Sequence, residues 1–220
     1  MVKGIVGHEC VNEIIVQRLL DHIGAEHLQY TLIHATVRID GRDFETYLCE
    51  SLDFKKETEV KIALDDYYLM EKEDTELPLA FCIRKGWEQY ISEMLLVDYL
   101  VLNRDRHGAN IEVLRDEKTR SVRLAPLFDH GLSLLCSCHS EDDIAAFDVM
   151  ADRKVQSFVG TSSASENIKL VSKEYIKSLP AIGASDIDSL FEGLEGVISE
   201  AHIDRIHDMI LGRWCSLDSI

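Results

Sequence analysis

From Trp87 to Leu102 the chain is apolar at helical spacing on nearly every side, the pattern of a helix sunk in a core. It runs directly into Asn103-Arg104-Asp105-Arg106-His107-Gly108-Ala109-Asn110, a stretch dominated by charged and amide side chains. A buried helix that ends in such a loop holds the loop's polar groups at the edge of the core. Downstream, Asn110-Ile111-Glu112-Val113-Leu114 and Val122-Arg123-Leu124-Ala125 flank a charged turn from Arg115 to Arg120, which reads as strand, turn and strand. The second strand ends at Pro126-Leu127-Phe128-Asp129, so the hairpin folds Asp129 back beside Asn110.

Other elements are legible on either side. Val11, Ile14, Ile15, Leu19, Leu20 and Ile23 follow the i, i+3/i+4 spacing of an amphipathic helix over residues 9–23, with Gly24 as its stop. The runs Tyr30 to Ile33, Thr36 to Ile39 and Tyr47 to Cys49, interrupted by Asp40-Gly41-Arg42-Asp43, predict a short antiparallel sheet with a hairpin turn. After a polar, Ser-rich connection around 160–166, helices are expected at Ile168 to Leu179, Ile187 to Ile198 and Ile203 to Trp214. The expected fold class is α+β, and no internal repeat is present.

Charge narrows the partners. With 40 acidic against 23 basic residues the formal charge is −17, and no local basic patch offsets a field that repels nucleic acid and anionic membranes. No signal peptide opens the chain, and no apolar run approaches the roughly 20 residues that span a bilayer. The six cysteines are scattered, and the one close pair, Cys136 and Cys138, has a spacing that suits neither a zinc knuckle nor a redox motif. A reduced, cytoplasmic protein is expected. The nine histidines show no His-x-x-x-His pair on an expected helix, so they read as core or surface residues. Ser162 and Ser163 read as turn formers, with phosphate acceptance the alternative.

Asp105, Asn110 and Asp129 are thus three oxygen-bearing side chains that the expected hairpin brings together. Such a set suits a hard divalent cation. Phosphoryl transfer asks for little more: metal ions on the nucleotide's β- and γ-phosphates, and one carboxylate to orient the attacking hydroxyl. The protein-kinase pattern spaces its catalytic Asp and its metal-binding Asn in the same way. Here, however, His107 follows the Asp instead of preceding it.

Asn103-x-Asp105-Arg106-His107-x-x-Asn110, followed by Leu124-Ala125-Pro126-Leu127-Phe128-Asp129, resembles the C-terminal lobe of HipA-like serine/threonine kinases. The first half alone also resembles phosphoinositide kinases, and the second half decides between them. The resemblance implies a protein-kinase-like fold: a truncated, β-rich N-lobe over residues 1–54 and a larger, mostly helical C-lobe over 55–220. It implies ATP and Mg2+ as cofactors, Asp105 as the catalytic base or hydroxyl-orienting group, and Asn110 and Asp129 as magnesium ligands. His107, also in the catalytic set, is expected to brace the loop, with taking a proton the alternative. Arg106 either holds an acidic or phosphorylated segment or is a surface charge.

The resemblance reaches the N-terminus through Met1-Val2-Lys3-Gly4, similar to the family's strand lysine, and through Glu13 as its partner in positioning the α- and β-phosphates. Glu13 is preferred over Glu9, which sits at the helix start. Leu48 to Phe54 is similar to the segment that joins the lobes, so the backbone at Glu50 and Leu52 is expected to meet an adenine edge. The partner implied is a protein substrate, with an antitoxin-like protein or a missing N-terminal segment as a further one. No glycine-rich loop precedes Lys3, which makes the chain a piece of a longer or split product or else a degenerate member. A pseudokinase or nucleotide-binding module is therefore the alternative from a different class. A lipid kinase comes third, since the acidic charge is awkward at an anionic membrane.

Overall fold

The computed structural model describes residues 8–219. The expected strand around Lys3 lies outside them. The chain opens with α1 (His8–Ile23), whose buried face runs Val11, Ile14, Ile15, Leu19, Leu20, Ile23. Gly24 ends it in the left-handed region (φ 75°), and the Ala25 N–H reaches back to the Leu20 carbonyl at 3.1 Å, closing the last turn.

The hairpin β1 (Tyr30–Ile39) and β2 (Arg42–Ser51) is longer than the separate apolar runs suggest, with an unbroken register from Tyr30↔Ser51 to Ile39↔Arg42. Its loop is the two residues Asp40 and Gly41, both at positive φ (50° and 78°), the geometry whose twist matches the strands it joins. The segment after β2 leads to β3 (Glu59–Ala63), α2 (Leu64–Glu71) and α3 (Pro78–Arg84), none of which the apolar patterning announces.

α4 (Glu88–Leu100) is the buried helix expected near 87–102, with Ile91, Met94, Leu95, Leu96, Val97 and Leu100 all inside. It stops because Leu102 turns left-handed (φ 51°) while the Asn103 N–H bonds to the Asp98 carbonyl at 2.9 Å. A leucine resists that conformation, and its near-complete burial holds it there. The loop then contributes β4 (Asp105–Arg106) and a 3-10 turn, Gly108–Asn110. β5 (Glu112–Asp116) and β6 (Val122–Leu124) form the expected hairpin, and β3 adds to it in the order β3-β5-β6, all antiparallel.

From Asp129 the chain runs as a turn-rich segment through α5 (Glu141–Ala146) to β7 (Gln156–Ser157), which pairs in parallel with β4. The C-terminal helices are shorter than their periodicity predicts. Residues 168–179 split into a 3-10 turn and α7 (Lys173–Ser178), because Val171 is extended and Ser172 caps a new start by accepting from the Tyr175 N–H. Residues 187–198 hold only the end of α8 (Ala184–Ser189); Gly193 and Gly196 take positive φ, and Leu194 and Ile198 still reach the core from turns. α6 (Ala164–Asn167) precedes them and α9 (Glu200–Ser216) closes the fold. One apolar cluster runs continuously from Val11 on α1 through α4 to Leu217. No described helix is long and apolar enough to cross a membrane.

Gly108 shows how tightly the loop after α4 is set. A Cβ there would lie 2.6 Å from Asp65 Cβ and 2.9 Å from the Asp65 backbone nitrogen, at the start of α2. Gly108→Ala is expected to destabilise the protein by about 1–3 kcal/mol, the usual range for overpacking. Thermal unfolding checks it, and an unchanged midpoint would show that α2 gives way freely.

Candidate active site

The loop after α4 is organised by a charge that sits inside an apolar helix. Asp98 is 8 % exposed, and its carboxylate accepts from Asn103 Nδ2 at 3.0 Å and from Arg106 Nε and Nη2 at 3.0 and 3.1 Å. Arg106 is 1 % exposed, which excludes both sequence expectations for it, a surface charge and a clamp for an outside segment. Its remaining nitrogen donates to the Phe128 carbonyl at 2.7 Å and to the Asn110 carbonyl at 3.3 Å. One guanidinium therefore fastens the loop's Asn110 to the residue before Asp129. Burying a charge is costly unless it is paired and bonded, and Arg106 meets both conditions with five donors in a fixed fork.

The three oxygen-bearing residues sit around this fastening. Asn103 Oδ1 accepts from the Asp105 N–H at 3.1 Å, and Asn110 Nδ2 donates to the Asp105 carbonyl at 2.7 Å. The Asn110 side chain is thereby oriented by its nitrogen, and its Oδ1 has no hydrogen-bond partner among the described residues. The Asp105 carboxylate is partly exposed and lies 3.6 Å from His107 Nε2. His107 thus stands against Asp105, while the hydrogen bonds that brace the loop come from Arg106, Asn103 and Asn110. Asp129 is held in the left-handed region (φ 61°). Burial first, then Glu13, and more weakly Asp105, push its carboxyl above the usual range, offset in part by Arg106 and His130. Asp129 and Asp105 thus share one electrostatic neighbourhood. Asp129 is stabilised as an anion by any cation placed between them.

Glu13 has a contact that the sequence did not indicate. Its Oε1 accepts from the backbone N–H groups of His130 and Gly131 at 2.7 and 2.8 Å, and its Oε2 lies 3.6 Å from His130 Nδ1, unbonded among the described residues. Beside it, Asn12 Nδ2 donates to the Gly131 and Ser133 carbonyls at 2.9 and 3.1 Å. α1 therefore grips the two residues after Asp129 directly. The pairing of Glu13 with Lys3 concerns a residue outside those described.

Glu50 lies in β2 opposite Thr31, and Leu52 follows the strand with its side chain 87 % exposed. Phe54 stacks on Phe128 at 5.6 Å between ring centroids, which brings the 48–54 segment against the end of β6. Asp98 and Asn12 were not singled out from sequence. Asp98 carried a signal, since it is the acidic residue within Met94-Leu95-Leu96-Val97-Asp98-Tyr99-Leu100, where a charge must find a partner; Asn12 carried none.

The residues present fit a magnesium–nucleotide complex better than a bare metal. No group of three or more His, Cys, Asp or Glu side chains among the described residues is placed to hold a metal ion. Asn110 and Asp129 supply two hard oxygens, and magnesium commonly takes one or two carboxylates while phosphates and water complete its shell.

No family model and no curated protein matches the sequence. Among solved structures the fold is similar to that of the Helicobacter pylori proinflammatory kinase CtkA, with a TM-score of 0.66 over 96 % of this chain and 85 % of that one, at 16 % identity. The architecture of this protein is kinase-like, a mixed α+β fold with small β-sheets and a helical part.

Proposed function

We propose that the protein is an ATP- and Mg2+-dependent phosphotransferase of the HipA-like group, acting on serine or threonine hydroxyls of a protein. The observation that supports this reading is the Arg106 fastening, which ties the Asn110 carbonyl to that of Phe128, the residue before Asp129, while Asp105 acts electrostatically on the Asp129 carboxyl. The likeness to a kinase fold supports it from an independent direction. In this reading Asn110 Oδ1 and the Asp129 carboxylate hold magnesium, which neutralises charge on the nucleotide's terminal phosphates. Asp105 orients the acceptor hydroxyl and takes its proton. Glu13 positions Asp129 through the backbone amides of the next two residues. Phe128 and Phe54 line the side on which the segment around Glu50 and Leu52 meets the base. Lys3 is assigned to the α- and β-phosphates by the sequence resemblance.

The reading predicts a thermal shift that needs both ligands. A ligand that binds only the folded state at about 100 times its Kd adds about 2.7 kcal/mol, a rise of several degrees for a chain of this size. ATP with Mg2+ is expected to raise the midpoint, and ATP with EDTA is expected to do so weakly. In Asp129→Asn the Mg2+-dependent part is lost. A full shift with ATP and EDTA, or an undiminished one in Asp129→Asn, would remove Asp129 from the metal.

A further inference from the structure

The starts of α1 and α9 bring together two histidines from nearly opposite ends of the sequence. The rings of His8 and His202 meet edge to face, with centroids 5.0 Å apart and planes at 70°. His202 is held in one orientation: its Nδ1 lies 3.2 Å from Ser199 Oγ, the hydroxyl that caps α9. With the Nδ1 proton directed at that oxygen, the ring's lone pair is on Nε2, which is buried and has no hydrogen-bond partner among the described residues. Burial holds His8 below the usual imidazole range, opposed by Glu9 and helped by His139; burial, and then His8, do the same for His202. Both rings are therefore neutral near pH 7, the form in which imidazole binds a metal.

The pair borders a hollow of about 630 Å³ whose wall also carries His139, Glu141 and Asp142. Two carboxylates on that wall, in a chain of formal charge −17, favour a cation over an anion. Glu9 and Glu200, in the first turns of α1 and α9, offset the positive helix ends that would otherwise draw an anion. Geometry narrows the cation further. Two imidazoles on one tetrahedral zinc, each about 2.0–2.1 Å from it through nitrogen, put their ring centroids about 5 Å apart. His8 and His202 already stand at that separation. No group of three or more His, Cys, Asp or Glu is so placed among the described residues, so the protein supplies two ligands and water completes the shell.

We propose that His8 and His202 form a binding site for a divalent transition cation of the zinc class, held through imidazole nitrogen, which ties the start of α1 to the start of α9. Imidazole nitrogen selects such a cation over magnesium, which takes oxygen ligands and suits Asn110 and Asp129 instead. The two sites are distinct, and the histidine site stands whether or not the protein transfers phosphate. Ser199 is its supporting group, fixing the His202 tautomer from behind as the partners of metal-bound histidines do. The cation anchors α1 about one turn before Asn12 and Glu13, the residues that grip the chain after Asp129.

The test is calorimetric titration of zinc chloride into the metal-free full chain, with magnesium chloride in excess so that a site of hard oxygens is kept filled. Zinc is expected to bind, and its affinity to fall at least about tenfold in His8→Phe and in His202→Gln, no less than the loss of a supporting group costs a metal site. His8→Phe keeps an aromatic ring against His202 and removes only the nitrogens. Histidine nitrogen NMR of the wild-type chain needs no variant, so it decides the matter even if a substitution prevents folding. On adding zinc, the His202 Nε2 resonance is expected to move to the range of a metal-bound nitrogen. No zinc binding, undiminished affinity in a folded His8→Phe, or a His202 Nε2 resonance that stays in place overturns the proposal.

Discussion

Asp105→Asn is expected to lower ATP-dependent phosphoryl transfer by about 10²–10⁴-fold, the contribution of a positioned general base, with little change in stability. The second half of that expectation follows from the geometry. What the loop needs from Asp105 is its backbone: the N–H bonded to Asn103 and the carbonyl bonded to Asn110. The carboxylate itself is partly exposed, and its one ion-pair contact among the described residues is His107, at 3.6 Å. An amide of the same shape preserves the fold and removes only the proton acceptor. Labelled ATP turnover, read beside the thermal midpoint of the same preparation, checks both halves. Transfer at the wild-type rate would deny Asp105 its role, and loss of activity accompanied by loss of folding would make the residue structural. His107→Ala is the companion measurement. With the imidazole beside the carboxylate, and not in its place, its removal is expected to cost less than Asp105→Asn does.

The largest stability effect is expected at Arg106. Arg106→Leu leaves Asp98 buried without its counter-charge and frees the carbonyls of Phe128 and Asn110. Breaking a buried pair from one side costs about 3–5 kcal/mol, a fall in Tm of about 6–20 °C for a chain of this length. Asp98→Leu/Arg106→Leu is expected to recover part of that loss, since no charge is then stranded, although the two carbonyls remain unpaired. Arg106→Lys falls between, because an ammonium cannot reach the carboxylate and the Phe128 carbonyl in one planar arrangement. Urea unfolding of the four proteins would order them. A single Arg106→Leu within about 1 kcal/mol of wild type would mean that Asp98 finds another partner or takes up a proton, and that the fastening of Asn110 to Phe128 rests on other contacts.

The elements legible along the chain are those whose signal is local. The 3.6-residue spacing of Val11 to Ile23, ended by Gly24, wrote α1, and the paired Asp40 and Gly41 wrote the hairpin turn. The unbroken apolar run ahead of Asn103 wrote α4 and the position of the polar loop. These are contests between a few neighbouring residues, so a pattern of adjacent side chains is enough to settle them. The proximity of Asp129 to the Asp105 loop was also legible, because a hairpin is the shortest way to reverse a chain and leaves few alternatives.

Which charges face which is set by the folded arrangement alone. Arg106 reads in the sequence like its partly exposed neighbours, and it is buried because Asp98, one helix end away, turns inward to meet it. Glu13 holds His130 and Gly131 across 117 and 118 residues of chain. The C-terminal helices break where Ser172 offers a cap and Gly193 and Gly196 permit a turn, although the apolar spacing continues through all of them. The reason is the same in each case: the energy of a charge or a buried donor depends on what surrounds it in three dimensions, and spacing along the chain carries that information only for the nearest few residues.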